Sequence, residues 1–208
     1  MAIGTYAELQ TAVANWLNRD DLTDRIQEFI DLAEARINRN LRLRLMETTA
    51  TGTLTPGTRD YALPTDYIQA RTFHLTLDPI VPLSYVTPEI MNRIWGGSTS
   101  GTPEAFTIIG ENFRLGPAPA TADGYSMLYY KRIAALTPAA TTNSMLTNNP
   151  DIYLYGALLE AEPFLQNDAR VQLWATAYRQ AVNDLQVQDD KDRHSGSELR
   201  VMNTSGYF

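Results

Sequence analysis

The stretch NPDIYLYGALLEAEPFLQND, residues 149–168, limits the possible folds more than any other part of this chain. Asn149 stands at a cap position, Pro150 suits the first helical position, and Pro163 closes the segment, so the spacing predicts a short helix. Tyr153, Tyr155, Gly156 and the run Ala157-Leu158-Leu159 leave it almost no polar side. A helix that is apolar all round must be gripped by neighbours on several faces. Tyr153 and Tyr155 point about 200° apart around its axis, so one neighbouring helix cannot cover both. Two arrangements satisfy this: an internal helix of a bundle, and a helix shared between subunits in which Tyr153 and Tyr155 are the contacts.

Helices are therefore needed elsewhere, and the sequence supplies them. Thr5 and Glu8 have the spacing of a capping box. Tyr6, Leu9, Val13, Trp16 and Leu17 then recur at helical period, until Asn18-Arg19-Asp20-Asp21 ends the run. A second helix is expected from Thr23 or Asp24, with Asp24 and Gln27 as a weaker capping pair and Ile26, Phe29, Ile30, Ala33 and Ile37 as its stripe. The two form an αα-hairpin. In RNLRLRLME, Leu41, Leu43 and Leu45 alternate with arginines at strand period, yet no residue there breaks a helix, so the helix is expected to continue to about residue 46. A last helix is expected from Asn167-Asp168, with Val171, Trp174, Tyr178, Ala181, Val182 and Leu185 on one face. It is expected to fray into QDDKDRHSGSELRVMNTSGYF.

Between these ends the chain changes character. Threonine-rich segments alternate with turn signals at Pro56-Gly57, Pro64, Asp78-Pro79 and Gly96-Gly97. Strands are expected at 47–55, 59–63, 70–77, 80–85 and 125–133. A hairpin is expected with Gly110-Glu111 as a type II′ turn between Phe106–Ile109 and Asn112–Leu115. A short helix at 87–95 opens on Thr87 with Pro88 at its first position. The expected fold is thus α+β: a helical bundle from both chain ends, with a β-rich region, a small sheet or barrel, inserted in the middle. The segments are 1–46, a helical hairpin; 47–136, the β insertion with one short helix; 137–192, C-terminal helices packing on the hairpin; and 193–208, an extended tail.

The sequence argues against several chemistries. The net charge of −7 opposes free-standing nucleic-acid binding, which normally uses a basic surface. No stretch approaches the ~20 apolar residues of a membrane span, and MAIGTYAELQ lacks the features of a signal peptide. Without cysteine there is no thiol chemistry, which fits assembly in a reducing cytosol. No HExxH, GxSxG, GxGxxG or phosphate-loop pattern is present, so no catalytic, metal or cofactor residue is assigned. His74 lies in an apolar strand-like run and reads as structural, while Asp20-Asp21 and Asp189-Asp190 read as solvated surface.

Three features point to contacts instead. The first is the 150–165 helix with Tyr153 and Tyr155. The second is the arginine row Arg36, Arg39, Arg42 and Arg44, which suits an acidic partner or phosphates, or a solvated face paired with the chain's own acids. The third is the tail, where Leu199, Val201, Met202, Tyr207 and Phe208 are spaced like anchors. Such a segment either orders on a partner or is a disordered terminus.

Taken together, TYAELQTAVANWLNRDDLTDRIQEFIDLAEARINRNLR resembles the start of the tail adaptor proteins of tailed bacteriophages, head-to-tail connectors best known from short-tailed phages. YALPTDYIQAR, PLSYVTPEIMN, FTIIGENFRLGPAP and YYKRIAALT resemble the same family's β region, and NPDIYLYGALLEAEPFLQND its C-terminal helical pair. The resemblance covers roughly residues 3–190. It implies a non-enzymatic virion protein without cofactors, assembled in the host cytoplasm into a ring, usually a dodecamer, at the junction of tail and capsid. It implies a portal protein as partner, further copies of the chain, and a next tail component such as a nozzle or tube protein, with tail fibres. DNA would pass through the channel without sequence-specific binding, and no membrane is involved. An alternative from the residues alone is a DNA-binding or packaging accessory protein using the arginine row.

Overall fold

The computed structural model of the protein describes residues 3–19, 21–97, 99–165 and 170–194. The chain begins with α1 (Tyr6–Leu17) and α2 (Thr23–Asn40). The β-rich part contains β1 (Glu47–Thr53), β2 (Asp60–Ala62), β3 (Tyr67–Leu75), β4 (Val81–Pro82), β5 (Ser84–Tyr85), α3 (Pro88–Trp95), β6 (Ser100–Gly101), β7 (Ala105–Ile109), β8 (Asn112–Gly116), β9 (Ala118–Pro119) and β10 (Gly124–Lys131). It ends with α4 (Ser144–Asn148), α5 (Pro150–Leu165) and α6 (Val171–His194), giving the α+β class. Two compact units result, Met1–Leu45 with Ile133–Phe208, and Met46–Arg132.

In the helical unit, α5 packs against α1, α2, α4 and α6. Ile152, Tyr153, Leu154, Gly156, Ala157, Leu158 and Ala161 are all buried. The chain's own helices thus cover most of the all-round apolar surface. Gly156 lets them close in: a Cβ there would sit 3.2 Å from Ala33 Cβ of α2 and 3.4 Å from Tyr178 Cε2 of α6. Gly156→Leu is expected to wedge these helices apart and to lower stability by about 1–3 kcal/mol, measured by urea unfolding of the helical signal. Wild-type stability in that variant would contradict the close approach.

The first helix begins as its capping box predicts: Thr5 Oγ1 accepts from the Glu8 N–H at 3.3 Å, and Glu8 Oε2 accepts from the Thr5 N–H at 2.9 Å. The second does not. Leu22 holds its cap position without a side-chain bond, so the Asp24–Gln27 pairing is absent. Nor does α2 continue to residue 46. It stops at Asn40, and Leu41 is extended (φ −102°, ψ 143°). The strand-period leucines decide this: an extended path buries Leu41 and Leu43 together, whereas a helix would spread them around its axis. Arg42 secures the helix end, its Nη1 donating to the Asn38 carbonyl at 2.9 Å and to that of Leu41. A single 3-10 turn, Arg44–Met46, then leads into β1.

Further departures occur in the C-terminal half. Residues 133–136, grouped by sequence with the β insertion, belong to the helical unit, because α2 binds them: Asn38 Oδ1 accepts the Ile133 N–H at 2.8 Å and Glu34 Oε1 the Leu136 N–H at 2.9 Å. A short helix, α4, precedes α5, capped by Asn143 Oδ1 on the Leu146 N–H at 2.8 Å. Pro163 does not end α5, which runs to Leu165; a proline in the last turn removes only one helical hydrogen bond. The expected start of the last helix at residues 167–168 lies outside the described residues. Its expected fraying from Gln188 is not seen, and α6 stays helical to His194. Asp189 supports that extension, accepting from Arg193 Nε at 2.8 Å and from the Arg44 backbone N–H at 2.8 Å.

The β unit holds two four-stranded sheets, in the orders β1-β10-β3-β4 and β2-β8-β7-β5, and a small β6-β9 pair. Their inner faces share one core that includes Leu54, Phe73, Leu75, Phe106, Phe113, Leu115 and Met127. Phe73 lies edge-on to Phe106 and to Phe113, with centroids 5.1 Å away in both cases. The run expected as one strand at 80–85 is divided at Leu83: β4 pairs with β3, while β5 pairs in parallel with β7 in the other sheet. The hairpin matches its prediction. Ile109 pairs with Asn112, Gly110 has φ +61°, and Glu111 is not among the positive-φ residues, which is the type II′ pattern.

Candidate assembly surfaces

Tyr153, expected at a subunit contact, is fully buried within its own chain. Its hydroxyl donates to Glu34 Oε1 at 3.2 Å and accepts from Asn143 Nδ2 at 2.8 Å. The same Asn143 amide also donates to the Ala134 carbonyl at 2.8 Å. Tyr153 therefore ties α5 to α2 and to the segment returning from the β unit, and has no surface to offer a partner. Burial, and then the nearby Glu34 charge, hold its hydroxyl well above the usual tyrosine range. Glu34 is itself 7% exposed, and burial pushes its carboxyl up to about 7, against the downward pull of the bonds from Leu136 and Tyr153. Sequence reading passed over Glu34, although it sits one turn from both Ile30 and Ile37 on the inward stripe of α2. An acid at a core position of a helical period was the available signal.

Tyr155 lies on the other side of α5, half-buried, with Trp16 of α1 edge-on at 5.8 Å. Trp16, which shares the helical period of α1 with Leu9 and Val13, is 42% exposed. It belongs to a group of large apolar residues that the helical unit leaves open, with Leu32, Phe164 and Leu173. Phe164 rests against Phe29 at 6.0 Å. Arg170 anchors the start of α6 near this region, donating from Nη1 to the Trp16 carbonyl at 2.9 Å and lying over the Trp174 ring at 5.0 Å.

The arginine row does not form one face. Arg36 pairs with Glu160 of α5 at 2.5 Å. Arg39 is exposed in the last turn of α2. Arg42 closes the carbonyl end of that helix. Arg44 reaches α6, where its Nη1 donates to the Asp192 carbonyl at 3.0 Å and its Nη2 to Asp192 Oδ2 at 3.3 Å. The change from helix to extended chain at Leu41 is what disperses them. The anchors Leu199, Val201, Met202, Tyr207 and Phe208 lie outside the described residues.

The β unit has a groove of about 570 Å³ lined by Tyr67, Phe73, Leu83, Tyr85, Phe106 and Ile108. Tyr85 is 58% exposed at its rim and edge-on to Phe106. Tyr129 donates to Asp66 Oδ1 at 2.8 Å, and burial followed by that bond pushes its hydroxyl up to about 12. Among the described residues, no group of three or more His, Asp or Glu could hold a metal ion, and no helix is long and apolar enough to cross a membrane. The described surface carries this groove and several large exposed apolar side chains.

A family model described as SU10 adaptor protein matches residues 4–202. No curated protein matches the chain.

Proposed function

This chain belongs to the SU10 adaptor protein family, a phage tail adaptor family, and from that premise we propose that it forms a ring docked on the portal at the tail–capsid junction. The observation that carries the reading is the family match over almost the whole chain, residues 4–202. The ring, of twelve copies, extends the DNA channel and gives the next tail component a surface. A closed ring needs two different complementary faces on each subunit. Trp16, Leu32, Phe164 and Leu173, open in the helical unit, supply apolar area for such contacts. Tyr155 and Arg39 are contact residues in this reading, while Tyr153 acts by holding α5 in place. The net charge of −7 suits a channel that DNA passes without being held. The own-chain contacts of Arg36, Arg42 and Arg44 favour this reading over the alternative, DNA binding through the arginine row.

Native mass spectrometry of the protein mixed with its cognate portal protein tests the proposal. The expected result is one discrete complex with one adaptor per portal subunit. Deleting residues 195–208 is expected to weaken that complex without unfolding the protein. Free adaptor beside free portal at micromolar concentration would refute portal docking.

A further inference from the structure

The chain leaves β10 and reaches α4 through residues 133–143, which form neither helix nor strand. Within this segment only Ile133 and Leu136 are buried. Polar bonds to three helices hold the rest. Asn38 Oδ1 and Glu34 Oε1 of α2 accept the Ile133 and Leu136 N–H groups at 2.8 and 2.9 Å. The Thr141 carbonyl accepts the Tyr6 N–H of α1 at 2.7 Å, and Asn143 Nδ2 donates to the Tyr153 hydroxyl of α5 at 2.8 Å. A stretch with two apolar anchors and isolated hydrogen bonds lies at the low-stability end of a structure, so it opens more readily than the helices beneath it.

Among these holding groups, Glu34 changes charge near neutral pH. Burial pushes its carboxyl up to about 7, whereas the Tyr153 hydroxyl is held well above the usual tyrosine range. The surroundings suit the neutral acid. Asp31, on α2 itself, adds a like charge. Across from α1 comes Tyr6, whose buried hydroxyl has no hydrogen-bond partner and whose ionisation is opposed by burial, then by Asp31 and Glu34. α5 presents Tyr153. The cation Arg36 is committed to Glu160, with Tyr178 of α6 facing that pair. Neither α4 nor residues 133–143 contain a titratable side chain. An ionised Glu34 therefore gains most by reaching water, and the movement that exposes it at least cost is the lifting of the weakly held segment.

We propose that Glu34 is a proton-operated latch: protonated, it holds the Ile133–Asn143 segment on α2, and its ionisation lets that segment open while the helices stay packed. The closed segment keeps the proton, and the open one, with an ordinary carboxyl at 4.5, releases it. Opening is least favoured below pH 4.5, grows as pH rises, and levels off above 7. Between pH 5 and pH 8 the open fraction increases about fifty- to a hundredfold. The latch belongs to the single chain and does not depend on the ring.

Amide hydrogen exchange of the full chain from pH 5 to pH 8, corrected for the intrinsic pH dependence of exchange, tests it. The Leu136 amide should be at least about tenfold less protected than the amides of Leu154 and Leu158 in α5, which report unfolding of the helices. Its protection should also fall about fifty- to a hundredfold over that range. Glu34→Gln should abolish the fall. Asn38→Ala, which removes a bond that does not ionise, should lower the protection of Ile133 and Leu136 at every pH and keep the fall. Equal protection of Leu136 and the α5 amides would mean that the segment opens only with the whole helical unit. Protection independent of pH would separate the opening from any titration. Both results are read on the wild-type chain alone, and either overturns the latch, as does a fall that persists in Glu34→Gln.

Discussion

Trp174→Ala lowers the stability of the helical unit by about 3–5 kcal/mol, the loss expected when a large buried aromatic is truncated and its cavity only partly collapses. Trp174 is 2% exposed in the first turns of α6, and Tyr178, one turn on, is 8% exposed. The later stripe residues Ala181, Val182 and Leu185 are only half-buried, so this pair carries most of the packing of α6 on α5. The Arg170 guanidinium over the Trp174 ring loses its partner in the same variant. Denaturant unfolding followed by far-ultraviolet circular dichroism measures the effect. Trp174→Phe should recover part of the loss. A change below about 1 kcal/mol for the alanine variant would mean that α6 is not seated through Trp174.

The second large effect depends on pH and belongs to Glu34. Its folded carboxyl titrates at about 7, against 4.5 for an ordinary glutamate. Between these values the folded chain holds a proton that the unfolded chain has released. The group's contribution to stability is therefore complete below pH 4.5, declines as pH rises, and is exhausted above 7. The total is on the order of 3 kcal/mol. Glu34→Gln keeps an acceptor for the Leu136 N–H and the Tyr153 hydroxyl but cannot ionise. The expected outcome is that the stability difference between wild type and this variant shifts by about 3 kcal/mol in favour of glutamine from pH 4.5 to pH 8. Comparing the two proteins cancels the other carboxylates, and a difference independent of pH would contradict the buried charge. Glu34→Ala, by contrast, leaves the Leu136 and Tyr153 donors unpaired and is expected to destabilise at every pH.

Local chemistry made much of this fold readable in advance. The Thr5–Glu8 capping box, Pro88 after Thr87 and the Gly110-Glu111 turn each fix one element through contacts between residues a few positions apart. The misreadings share a different cause. Leu41 and Leu43 fit either a helix or an extended chain until the burial of both on one side decides. The division at Leu83 depends on which sheet takes each half of the run, a choice made by β3 and β7 and not by residues 80–85 themselves. The candidate contacts were the least legible. Periodicity marks a residue as apolar and does not say whether its neighbours reach far enough to cover it: Tyr153 is sealed inside, and Trp16 at an equally periodic position is left open. Arginine spacing carried no sign of Glu160 or Asp192, which lie far along the chain and meet Arg36 and Arg44 only once folded.

The hydrogen bonds from Ile133 and Leu136 to Asn38 and Glu34 have a consequence for the order of folding. The β unit is continuous in sequence, Met46–Arg132, whereas the helical unit is assembled from two pieces with that whole segment between them. On the ribosome, α1 and α2 emerge first but lack α5 and α6, and α2 presents its apolar stripe and two unfilled acceptors to water. The β unit can form as soon as it clears the exit tunnel. Once folded, it turns a long flexible loop into a compact insert and lowers the entropy cost of bringing Ile133 back to α2. The helical unit is then the last to close, and until it does the exposed hairpin is the part of the nascent chain that most needs protection from aggregation.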